Sequence, residues 1–131
     1  MTNGNKVFDL AIHLMDEQYE LTGATRTADT KEYEFRALSI LNILRHELFP
    51  YSDTYDWGEN GRRWICPELA DMEQPIDLDD AIAQGVMPYG LAAHLLLGEN
   101  NTMASFFNQR YAELMYAIGT KRSAVWEDIV V

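Results

Sequence analysis

The side chains best suited to proton transfer, nucleophilic attack or metal ligation are three histidines, His13, His46 and His94, one cysteine, Cys66, and a surplus of carboxylates. Nucleophilic catalysis requires a Ser or Cys beside a His that a carboxylate orients, and neither a nucleophile elbow nor a glycine-rich phosphate loop occurs. The histidines fall in three separate helical patterns. The simpler reading makes His94 a hydrogen-bonded residue of its helix and places the other two at surface or boundary positions. Cys66 has no Cys or His at ligand spacing, and the Glu-x-x-His pairs of helical di-metal sites are absent. The nearest calcium-like segment is 53–61, DTYDWGENG. In the register that starts an EF-hand loop at Asp56, Gly58 takes the third ligand position and Pro67 the place of the bidentate glutamate. Asp79 and Asp80 form a carboxylate pair of the kind used in acid–base work, but capping and the helix dipole account for them beside a helix start. The expectation is no catalytic residue, no cofactor and no metal.

The elements that would position these groups are helical. Val7, Phe8, Ala11, Ile12, Leu14, Met15 and Tyr19 recur at helical spacing over 5–21, leaving Asp9, Asp16, Glu17 and Glu20 mostly outward. Asp29 and Glu32 suggest a capping box for a second helix over 30–48, whose apolar stripe is Tyr33, Ala37, Ile40, Leu41, Leu44 and Leu48. A third, short helix over 77–85 has an Asp start and ends at Gly85. It feeds a helical hairpin over 87–118, the best-defined stretch of the chain. Pro88 suits a first helical turn, Gly98 the left-handed position past a helix end, and Asn100, Asn101 or Thr102 the cap of the next helix. The fourth helix, 88–97, is apolar nearly all round and so reads as central. The fifth presents Met103, Phe106, Phe107, Tyr111, Leu114, Met115 and Ile118 on one face and ends at Gly119. The fold class is all-α: a small bundle of about five helices, with a long irregular, partly β excursion between the second and third.

That excursion, 50–75, contains Gly58, Gly61, Pro67 and Pro75 but no sustained period. Loops of this length in compact domains are usually functional or partly structured. Tyr51, Tyr55, Trp57 and Trp64 imply order, and 62–66 has the composition of a short strand. Charge concentrates in the same region. Between Pro50 and Asp80 nine acids stand against Arg62 and Arg63, seven of the net −11. Aromatic anchors within a charged surround are how interfaces concentrate binding energy, so Tyr51, Tyr55, Trp57 and Trp64 are candidate partner contacts. The tail, 120–131, begins basic and ends apolar. As an extended segment it must bury Val125, Trp126, Ile129, Val130 and Val131, which makes them the second candidate docking set.

At 131 residues the chain is long enough for one domain with a core. Its 47% apolar and 11% aromatic content excludes a disordered composition. A pI of about 4.5 argues against a protein that gains affinity by neutralising nucleic-acid or membrane phosphates. A lone cysteine fits a reducing compartment. No secretory pattern opens the sequence, and the longest apolar run, 90–98, is interrupted by His94 and falls short of the roughly 20 residues of a membrane span. The expected setting is cytoplasm.

The order of features resembles small prophage structural proteins of the tailed-phage head–tail connector (adaptor) type. The resemblance rests on 76–115, chiefly Pro88-Tyr89-Gly90-Leu91-Ala92-Ala93-His94 followed by Phe107-Asn108-Gln109-Arg110-Tyr111, with further support from the second helix. It implies a non-enzymatic helical subunit that assembles into a ring, docks on the phage portal or a neighbouring connector or tail protein, and forms part of the DNA passage. The expected locations are the host bacterial cytoplasm during assembly and the virion. An extended loop and a chain terminus usually make such docking contacts, the roles open here to 50–75 and 121–131. An acidic wall would suit a channel through which DNA must slide. The alternative is an acidic helical regulator or DNA mimic that occupies a basic site on a host partner, with salt-sensitive binding.

Overall fold

The computed structural model describes residues 1–52 and 66–130, with the side chains of 120–130 excepted. Five α-helices are described: α1 (Gly4–Met15), α2 (Lys31–Leu48), α3 (Asp80–Gly85), α4 (Met87–Leu96) and α5 (Asn101–Val130). A 3-10 turn, Phe49–Tyr51, extends α2. The all-α class holds among the described residues; their only β feature is a single antiparallel bridge between Asn3 and Pro75.

α4 is the hub. It packs against α1, α2, α3 and α5, and its buried set, which includes Met87, Pro88, Leu91, Ala92, Leu95 and Leu96, covers nearly its whole circumference. The core is completed by Val7, Phe8, Ala11 and Ile12 of α1, by Ala37, Leu41, Leu44 and Leu48 of α2, and by Ala104, Phe107 and Tyr111 of α5. The turn from α4 to α5 follows the chemistry that its residues dictate. Gly98 takes φ +88°, and the backbone N–H groups of Glu99 and Asn100 donate to Leu96 O. The Asn100 side chain accepts from Met103 N at 3.2 Å, which caps α5 and identifies the cap among three candidates. Asn100→Ala should cost about 1 kcal/mol in a urea titration.

Several helix limits differ from the periodicity. α1 ends at Met15 rather than near residue 21, because Asp16 turns left-handed at φ 58° and its N–H bonds to His13 O and Ile12 O. The acids Asp16, Glu17 and Glu20 would otherwise crowd the negative end of the helix dipole. α2 starts without the Asp29–Glu32 capping box. Its N-cap is Thr30, whose buried hydroxyl instead donates to Thr25 O and accepts from Thr27 N at 3.0 Å. α3 starts at Asp80 rather than Asp77, since Asp77 itself has φ 61°. On α5, the Ala104, Phe107, Tyr111 row faces the core and Phe106, one residue and about 100° away, is 58% exposed. The sequence ends this helix at Gly119 with an extended tail, whereas the helical backbone runs on to Val130. One interior glycine costs only about 1 kcal/mol, and 120–130 contains no proline.

Of the 50–75 excursion, 50–51 belong to the 3-10 turn after α2; the stretch 66–79 has no helix or strand and is nevertheless tied down. Leu69 N donates to Asn42 Oδ1 and Asn42 Nδ2 to Leu69 O, so one side chain reads both backbone groups. Ile76 N bonds to Thr2 O and Asn5 N to Met72 O. Cys66, Leu69, Ile76 and Leu78 are buried in the core. The calcium-like segment 53–61, strand residues 62–65, and the aromatics Tyr55, Trp57 and Trp64 lie outside the described residues.

Candidate interaction surface

The groups that could do chemistry are dispersed. His13, His46 and His94 are all exposed, on α1, α2 and α4. His46 Nδ1 lies 2.7 Å from Asn42 O. His94 is not the hydrogen-bonded residue expected on its helix: its ring makes no hydrogen bond among the described residues and lines an open groove. No group of three or more His, Cys, Asp or Glu among the described residues is placed to hold a metal ion. The buried Tyr33 and Tyr111 hydroxyls are both pushed well above the ordinary tyrosine range. Desolvation leads in each case, and for Tyr33 a 2.6 Å hydrogen bond to Glu99 adds to it. Neither can act as a base near neutrality.

Several acids of the negative region are committed to the fold. Asp71 Oδ1 accepts from Glu73 N and Gln74 N, closing a turn. Asp80 Oδ1 accepts from the Thr2 hydroxyl at 2.7 Å and from Thr2 N at 3.2 Å, and the Thr2 hydroxyl in turn accepts from Gln84 Nε2. The Thr2 hydroxyl bond holds the Asp80 carboxyl below its usual range. Asp80 therefore serves a contact across the fold rather than capping its own helix. Glu68 and Glu73 remain as exposed carboxylates of the described part.

Of the candidate docking residues, Tyr51 is described fully. It is half-buried, and a methyl group on Gly119 would stand 3.4 Å from its ring, so it braces α5 instead of standing free. Val125, Trp126, Ile129 and Val130 lie on the helical backbone of α5; their side chains, and Val131 entirely, are outside the described residues.

Three features were not found by periodicity. Arg26 joins the loop after α1 to both long N-terminal helices: its Nε lies 2.9 Å from Glu34 Oε1, Nη2 bonds to Asn5 Oδ1, and the guanidinium stands 5.1 Å over the Phe8 ring. Arg45, buried on α2, donates to the carbonyls of Pro67 and Ile76. The third is a groove of about 440 Å³ on the outer side of the α4–α5 hairpin, with Ala93 and Ala104 on α4 and α5 and with His94, Leu97, Asn101, Ser105 and Asn108 completing its lining. The sequence signal for the groove is the spacing 101, 105, 108, a helix face with no charged or bulky apolar residue, set beside small residues of the neighbouring helix. The same three- and four-residue spacing continues to Ala112 and Tyr116, both exposed. Other large apolar side chains open to solvent are Met1, Tyr19 and Leu21 near the start of the chain, Phe35 and Ile43 on α2, Leu97 after α4 and Phe106 on α5.

No helix among the described residues is long and apolar enough to cross a membrane. Comparison with protein-family models, with curated proteins and with solved structures gives no match.

Proposed function

We propose that this protein is a non-enzymatic structural subunit of the head–tail connector type, which docks on a portal or a neighbouring connector or tail protein and contributes to the DNA passage. The observation that carries this reading is the disproportion of the terminal hairpin. α5 is 30 residues long and α4, the helix on which it chiefly packs, is 10. At 1.5 Å per residue that is about 45 Å against about 15 Å. The last turns of α5 carry Val125, Trp126, Ile129 and Val130, an apolar set suited to a partner. The rest of the chain supplies a rigid base for it, with α4 surrounded and the histidines and acids scattered or engaged in folding contacts. The net charge of −11 suits a channel wall that does not trap DNA. It also favours the second reading, a regulator or DNA mimic on a basic host partner.

Electron microscopy of the chain mixed with its cognate portal separates the two. Bound density or rings at the portal are expected, and removal of 125–131 should abolish them while helical content by circular dichroism stays near that of the intact chain. A chain that leaves the portal bare, yet binds a basic host protein with an affinity that falls as salt rises, overturns the connector reading in favour of the second.

A further inference from the structure

We propose that the outer groove of the α4–α5 hairpin is a self-association face, filled by the same groove of a second copy of this chain in a two-fold pair. Charge is the first argument. The chain carries 31 acidic and basic side chains and a net −11, so most ways of bringing two copies together set carboxylates against carboxylates. None of the groove's lining residues is Asp, Glu, Lys or Arg, and the exposed face continues without charge through Ala112 and Tyr116. Two copies meeting there avoid the repulsion that opposes contact elsewhere. A basic foreign partner, by contrast, finds no carboxylate in the groove to recognise.

Shape is the second argument. Leu97, 69% exposed at the rim, is a projecting apolar side chain beside a recess where α4 and α5 contribute the small residues Ala93 and Ala104. A projection and a recess on one surface are what an isologous contact requires, since each copy's Leu97 enters the other's groove. Asn101, Ser105 and Asn108 supply donors and acceptors along the seam. Asn101 Oδ1 already accepts from Gly98 N, which leaves its amide N–H groups to face outward. Tyr116, 77% exposed, extends the apolar contact along α5.

The pairing does not rest on the connector reading, and the two fail separately: this one is measured on the chain alone, the other only with the portal present. Sedimentation velocity of the full chain from micromolar to several hundred micromolar should show a species of 15.0 kDa giving way to one of twice that mass. Association should tighten from about 0.01 M to about 1 M salt, as the Debye length falls from about 30 Å to about 3 Å and repulsion between the acidic bodies is screened. Ser105→Arg puts a cation against its own copy across the two-fold axis and should weaken association about tenfold or more. Asn108→Arg should do the same if the first variant folds poorly, and circular dichroism controls for that. Phe106→Ser, on the opposite side of α5, should leave the mass distribution unchanged. A single 15.0 kDa species at every concentration and salt, or a pair that the arginine variants leave intact, overturns the proposal.

Discussion

Arg45→Met is expected to lower the free energy of unfolding by about 3 kcal/mol, a large share of the roughly 5–15 kcal/mol that holds a domain folded. Arg45 is only 2% exposed. Its Nε donates to Ile76 O, and its Nη1 to Pro67 O and, at 3.0 Å, to the Cys66 sulfur. Methionine replaces the aliphatic stem at similar length but donates nothing, so the Pro67 and Ile76 carbonyls lose a charged donor without gaining access to water. Arg45→Lys should fall between, because an ammonium keeps the charge but cannot reproduce the planar fork that meets acceptors on both sides of the 66–76 segment. Cys66 gives a local readout. Burial pushes its thiol up, against the pull of the Arg45 guanidinium, and a loosened segment should admit a thiol reagent faster than in the parent. A loss below about 1 kcal/mol with Cys66 labelling unchanged would show that other contacts hold the segment.

Gly90→Val should cost about 2–3 kcal/mol, whereas Gly90→Ala should lie near zero. Gly90 sits where α2, α4 and α5 meet. A Cβ there would come within 2.9 Å of Leu44 Cδ2 and 3.1 Å of two carbons of the Tyr111 ring. The leucine methyl can rotate away, which alanine requires, and alanine also recovers up to about 1 kcal/mol of helix propensity. Valine adds two branches beside the Tyr111 ring, itself 4% exposed and enclosed by the core, so α5 must lift from α4. Thermal unfolding of the three proteins provides the comparison. Equal midpoints for the valine variant and the parent would mean that the α4–α5 seam is loosely packed and is no rigid base for α5.

What the sequence determined by itself is local. A 3.6-residue apolar period located α2, an apolar run between Pro88 and Gly98 located α4, and residue-specific backbone preferences placed Pro88 in the first turn of α4, Gly98 past its end, and a cap among Asn100, Asn101 and Thr102 before α5. Each depends on interactions within a few residues, so the pattern contains its own cause. The all-α class follows from the same signals.

Only the tertiary structure decided the rest, because it depends on partners far apart in the chain. Nothing near Asp80 indicates that Thr2, 78 positions away, would take its carboxylate from a capping role. Nothing near Arg45 indicates that it would enter the core to hold the 66–76 segment. The choice between Phe106 and Phe107 as the inward ring turns on where α4 lies, not on spacing, since adjacent residues fit one broad apolar face almost equally well. His94 reads as a hydrogen-bonded residue of an apolar helix, whereas it is exposed and lines the groove beside α5. Among the candidate docking residues, Tyr51 shows the same limit: an aromatic in an acidic run resembles an exposed anchor until α5 is seen to pass against it at Gly119. Periodicity fixes which residues a helix can bury, and the long-range packing of the other helices fixes which of those it does bury.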